Sequence, residues 1–193
     1  SLKDRNLHGV RLVISDAHAG LKAAIRRVFQ GAAWQRCRVH AMRNLLAVAK
    51  HQHRLMIAAL IRTIFAQPDP QGARTQLRAV VDQLEPVAPA VAAKLEAAEH
   101  DLLAYAAFPK AHWSKIWSNN PIERLNRELK RRTDVVQIFP NAESVIRLVG
   151  ALLVEVNDEI ISSGRRYIAA GSLATITTDQ EESIASLPAA PRT

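Results

Sequence analysis

The sequence predicts an α/β protein that is mainly helical. Three observations carry this. Two short strand-like runs lie near the N-terminus, with an amphipathic helical pattern between them. The rest of the chain repeats its apolar residues at helical spacing, with no further good strand candidate. Aromatic residues are only 5% of the chain, while Ala, Leu, Val and Ile are plentiful, which favours packed helices over a β-sandwich.

The first nine residues read as the end of a helix and a turn closing at Gly9. A β-branched run follows, so a buried strand is expected over 10–15, with Asp16 directly after it. Leu21, Ala24, Ile25, Val28 and Phe29 predict an amphipathic helix over 17–30, stopped by Gly31. Trp34 to Val39 predicts the second strand. Strand, helix, strand in that order suggests a βαβ unit.

From His40 to about Trp117 only helices are expected. Leu45, Leu46, Val48, Ala49, Leu55, Met56, Ala59, Leu60, Ile64 and Phe65 form one long stripe, broken at Pro68-Asp69-Pro70. Helices over 71–84 and 88–107 follow, then one from near Asn120 to Arg132. The last covers roughly 142–162, with Val145, Ile146, Leu148, Val149, Leu152, Leu153 and Val156 apolar. Composition predicts a mobile tail over 166–193, rich in Ser, Thr, Ala and Pro. Two parallel strands make no stable sheet alone, so this sheet needs partners that the chain does not supply.

At 193 residues and 48% apolar composition the chain can hold a real core. No apolar run reaches membrane-spanning length, and no apolar signal core marks the N-terminus. A single cysteine excludes an internal disulfide and suggests a reducing compartment. Lys and Arg total 26 against 18 Asp and Glu, a net charge of +8. For a basic, ordered domain the first large partner to consider is nucleic acid; a solvated basic surface is the plainer alternative.

Three places could carry chemistry. Asp16 sits where a strand ends and a helix begins, the position of ligand sites in open α/β sheets. Its carboxylate suits a hard cation, or it simply caps the helix of 17–30. Glu123 lies just inside a helix start, with Asn120 as expected cap, Pro121 at the first helical position and Glu123 at the capping-box position. The helix dipole there favours the ionised, metal-holding form. Ile122, Leu125 and Leu129 are expected to pack inward. Arg127, Lys130 and Arg131 share the face of Glu123, and Arg124 and Arg132 add charge nearby, so the helix suits a DNA backbone or carries intrahelical ion pairs in solvent. Glu128 lies further along the same helix. Last, Cys37 and His40 could begin a zinc site with His51 or His53, or form a nucleophile pair, or Cys37 could be a buried small side chain.

Taken together, these segments resemble the Mutator-type transposases of bacterial insertion sequences. The stretches that carry the resemblance are Val13 to Leu21, Gln35 to His40 with Arg43-Asn44, Trp117 to Thr133, and Phe139-Pro140-Asn141. Their order and spacing, with a long helical stretch between Asp16 and Glu123, make it specific over about residues 5–165. The resemblance implies a partial ribonuclease-H-like core over 1–40 and 118–165, interrupted by an all-α insertion over 41–117. It implies an Asp-Asp-Glu active site holding Mg²⁺ or Mn²⁺, with Asp16 as the second Asp and Glu123 as the Glu. Cys37 and His40 match a Cys-x-x-His element of the family. The family's first Asp, the strands before it and the N-terminal DNA-binding region have no match here, so a truncated copy or fragment is expected. The implied partner is DNA, at transposon ends and target, with a homo-oligomer in the full-length family, no membrane, and a cytoplasmic, nucleoid-associated location. A non-catalytic basic helical module that binds DNA or a full-length transposase is the alternative, and a general ribonuclease-H-like nuclease a third.

Overall fold

The computed structural model describes residues 2, 4–164, 167–169, 171 and 172. The tail of 166–193, expected to be mobile, otherwise lies outside the described residues. The chain divides into two compact units, one of residues up to Ser118 and one of Asn119–Ser172.

The first unit opens with turns rather than the end of a helix, and Gly9 takes a left-handed φ of 69° to leave them. Strand β1 is Leu12–Ser15 and β2 is Ala33–Arg36, paired in parallel with Leu12 opposite Ala33 and Ser15 opposite Arg36. Helix α1, Ala19–Val28, connects them and ends before Gly31, whose φ of 84° suits glycine. β2 is shorter than the expected 34–39, because Cys37 turns the chain and helix α2, Arg38–Ala47, begins at once. The sheet is two-stranded among the described residues, and β1 is buried only at Ser15.

The helices that follow are α3 (Arg54–Phe65), α4 (Pro70–Leu84), α5 (Pro89–Glu96), α6 (Glu99–Leu103) and the short α7 (Trp113–Ile116). Asp69 caps α4 by accepting the Gly72 N–H at 2.8 Å, with Pro70 pre-set behind it. Ala73, Leu77, Val80 and Leu84 then recur on one buried face of α4, against Ile57, Ile61 and Ile64 of α3 and Val91 and Leu95 of α5. The single stripe expected across 45–65 is interrupted. A 3₁₀ turn at His51–His53 shifts the helical phase, so Ile57 and Ile61 go inward while Leu55 is left 87% exposed. The expected helix over 88–107 is likewise divided into α5, α6 and a 3₁₀ turn at Ala104–Ala107.

Fully buried Gln35 joins sheet to helices. Its amide nitrogen donates to the carbonyls of Leu102 (2.9 Å) and Arg36 (2.7 Å), and its oxygen accepts the Tyr105 N–H (2.7 Å). Tyr105 in turn packs edge-on to Trp113 and Trp117, with ring centroids 5.2 and 5.8 Å away. Burial pushes the Tyr105 hydroxyl up to about 12.

The second unit consists of α8, Asn120–Asp134, and α9, Ala142–Ser162, packed on one another. Asn141 caps α9 through the Ser144 N–H at 2.9 Å. Only Leu152 is buried among the residues of the two helices. Ile122, expected to face inward, is 51% exposed, while Leu125 and Leu129 are half-buried.

Candidate active site and basic helix

The parallel register sets the geometry of the first candidate. Beyond the Ser15–Arg36 pair, the Cys37 N–H donates to the Ser15 carbonyl at 2.7 Å. Asp16 and Cys37 therefore leave the sheet side by side, at the C-terminal ends of adjacent strands. The end of β1 is pinned by Trp34, whose indole N–H donates to the Ser15 hydroxyl at 2.8 Å, and Lys22 lies 4.0 Å from the centroid of the Trp34 ring. Lys22 carries no signal in the sequence, and Trp34 marks there only the start of the second strand run and of the cluster around Cys37. Their role depends on strand pairing, which no local pattern displays.

Asp16 does not cap α1. The cap is His18, whose Nδ1 accepts the Leu21 N–H at 3.3 Å. The Asp16 carboxylate is half-buried and makes no hydrogen bond or ion pair among the described residues. The structural role that the sequence offered it is thus filled by another residue.

Cys37 is fully buried and precedes α2; His40 is half-buried one turn on. The thiol sulfur and a His40 ring nitrogen lie within 4.8 Å of each other. The first N–H of α2, from Arg38, donates to the Trp117 carbonyl at 3.0 Å, and the Arg38 guanidinium stacks 3.6 Å from the Trp117 ring centroid. Burial lowers the Arg38 pKa from its ordinary value, opposed by the nearby Tyr105 and Cys37. His51 and His53 come after the far end of α2, a helix about 15 Å long at 1.5 Å per residue. They join Cys37 and His40 in no ligand cluster among the described residues, which removes the zinc arrangement weighed from the sequence.

Glu123 belongs to the second unit. The cap residue of α8 is Asn119 rather than Asn120, and it makes no side-chain cap hydrogen bond. Glu123 is therefore one position past the capping-box site, yet still in the first turn. Along α8, Glu128 takes two of the cations. Arg131 donates to it at 2.6 and 3.1 Å and Arg132 at 2.9 Å, holding its carboxyl down at about 2. Arg132 also reaches Glu155 of α9 at 3.9 Å. Arg124, Arg127 and Lys130 are exposed and form no ion pair among the described residues.

The chain is thus basic and mainly helical, with an uncommitted carboxylate at a strand end and a cationic helix. Comparison with known sequences makes the assignment definite: the Mutator family of transposases matches residues 1–163, and the chain belongs to that family. It is 54% identical over 164 residues to the transposase of insertion sequence element IS1081 from Mycobacterium tuberculosis, an alignment covering 85% of this chain and 39% of that protein. It is 43% identical to the IS406 transposase of Burkholderia multivorans, covering 87% and 43% respectively. It is 39% identical to the IS256 transposase in transposon Tn4001 from Staphylococcus aureus, covering 86% and 43%. The chain thus spans about two fifths of the length of these relatives.

Proposed function

We propose that this chain carries part of the catalytic domain of an insertion-sequence transposase, for metal-dependent cleavage and strand transfer of DNA. The observation that carries this reading is the Asp16 carboxylate, held at a strand end and bound to no other group of the described chain. In this reading the second acid is Glu123, in the first turn of α8. In this reading β1 and β2 belong to a ribonuclease-H-like sheet, and 41–117 is a helical insertion into that core.

The donor set fits a hard divalent cation. Both residues offer oxygen ligands. Asp16 and Glu123 would hold Mg²⁺ or Mn²⁺. When bound, the metal supplies Lewis-acid stabilisation of the phosphodiester oxygens and lowers the pKa of the attacking water or 3′-hydroxyl. The chain's own part is to position DNA. Arg124, Arg127 and Lys130 follow Glu123 along α8 and neutralise backbone phosphates. Cys37 adjoins Asp16 at the strand ends, and His40 follows one turn on in α2. In this reading the full-length protein acts in the bacterial cytoplasm, at the nucleoid, as a homo-oligomer. No helix among the described residues is long and apolar enough to cross a membrane.

The test is cleavage of terminal-repeat DNA by the purified chain with Mg²⁺ or Mn²⁺, alongside Mn²⁺ binding followed by electron paramagnetic resonance. Asp16→Ala and Glu123→Ala are each expected to weaken Mn²⁺ binding at least tenfold and to remove any cleavage. Full Mn²⁺ binding and cleavage in both variants would overturn the site. The unpaired cations of α8 support a second reading, a non-catalytic DNA-binding module. It predicts salt-sensitive DNA binding that survives both substitutions without metal-dependent cleavage in the parent chain.

A further inference from the structure

A concave site lies wholly within the first unit, between α2 and the end of α3. It has a volume of about 440 Å³, within the range of small-ligand sites (about 300–1,000 Å³). Its apolar lining is Val39, Met42, Phe65 and Ala66, and its charged lining is Arg38, Arg43 and Arg62. Arg38 is engaged with aromatic rings, 3.6 Å from the Trp117 centroid and 5.5 Å from that of Phe65. Arg43 and Arg62 are exposed and form no ion pair among the described residues. Like charges gathered around a cavity repel one another unless an anion joins them, and here no carboxylate of the described chain does so.

A DNA duplex needs no cavity of this kind. Its phosphates lie on the outside and are met by exposed cations such as those of α8. An apolar lining with an aromatic face, together with guanidinium groups, matches instead a nucleotide whose base is unstacked: a planar apolar ring against Phe65 and Met42, with its phosphates on the arginines. We infer that this pocket binds an unpaired nucleotide of a DNA strand, with the base on the apolar lining and the flanking phosphates on Arg43 and Arg62. The inference rests on the reading of this chain as a DNA-binding protein and adds a site separate from the Asp16 carboxylate and from α8.

The experiment compares binding of the purified chain to blunt duplex DNA and to the same duplex with a short 3′ overhang, over a range of salt. The parent chain is expected to prefer the overhang by about tenfold, the scale of one stacked base. Arg43→Ala with Arg62→Ala should remove that preference and reduce the salt slope on overhang DNA by about 1.4, roughly 0.7 for each lost phosphate contact on a single strand. Ala66→Phe, at an exposed position lining the pocket, should remove the preference with the salt slope kept. All variants should keep blunt-duplex binding and the parent far-ultraviolet circular dichroism. Equal binding of blunt and overhang DNA by the parent, or an overhang preference that survives in the variants, would overturn the pocket while leaving the DNA reading intact. Competition by free deoxynucleoside monophosphates or polyglutamate as strong as by overhang DNA would overturn the assignment to a strand. Absence of any DNA binding would remove both.

Discussion

At the scale of single residues, the basic helix is less uniform than its sequence suggests. Of the five cations placed on α8 from the sequence, Arg131 and Arg132 are drawn to Glu128, and the other three are not. The Glu128 carboxyl is depressed to about 2 from 4.5, first by its hydrogen bonds from Arg131 and Arg132. A depressed carboxyl pKa means that the pairing is complete above the ordinary value of 4.5 and is lost as pH falls through about 2. The carboxyl carbon resonance of Glu128 should therefore titrate with a midpoint near 2; a midpoint near 4.5 would show that the pairs do not persist in solution. The pair is exposed, so its contribution to folding is small. Its consequence is for binding. Glu128→Gln removes the carboxylate that holds Arg131 and Arg132 on the helix proposed to meet phosphates, and raises the net charge by one. Duplex affinity at low salt should rise severalfold, with a steeper salt dependence; unchanged affinity would mean that α8 does not face the DNA.

At the scale of elements, the helix starts separate residues with a structural duty from those without one. Asp69 and Asn141 cap α4 and α9 with their side chains, whereas Asp16, the obvious sequence candidate for α1, leaves that to His18. Asp69→Ala should therefore cost about 1 kcal/mol in urea denaturation, the usual loss for a cap. Asp16→Ala should change stability by less than about 0.5 kcal/mol, as for a substitution away from any structural feature. A loss of a full cap energy at Asp16 would return it to a structural role. The same elements show what was legible in advance. Residues 142–162 were expected as a helix and form one, because the apolar spacing and the Asn141 cap agree. The strand–helix–strand start was legible from its β-branched run and Gly31. The end of β2 was not, since Cys37 and Val39 read as strand residues by propensity, while the Trp117 carbonyl, remote in sequence, receives the first N–H of α2. The inward set on α3 was only partly legible: Ile64 belongs to the expected stripe and is buried, whereas Ile57 and Ile61 do not belong to it, because the 3₁₀ turn shifts the helical phase.

At the scale of the whole molecule, the two units differ in how much holds each together. The first has a continuous core from Leu45 through Ile61, Leu77 and Leu95 to Tyr105 and Trp113. The second has two helices among whose residues only Leu152 is buried, with an exposed pair from Arg132 to Glu155. Isolated helices of this length are marginal in water, and most helical stability comes from burying an apolar face. On that ground α8 and α9 form the low-stability part of the chain, although α8 carries Glu123 and the unpaired cations. Amide hydrogen exchange should reveal the difference directly, with α8 and α9 exchanging roughly a hundredfold or more faster than the inner turns of α3 and α4. Each tenfold difference in protection corresponds to about 1.4 kcal/mol of opening free energy, so a hundredfold gap requires less than 3 kcal/mol, which the contrast in burial readily supplies. Adding terminal-repeat DNA should slow exchange in α8 while leaving α3 and α4 nearly unchanged, because a ligand stabilises most what its contacts order. Equal protection of both units in the free chain would refute the stability contrast, and DNA-induced protection confined to the first unit would remove α8 from the binding surface.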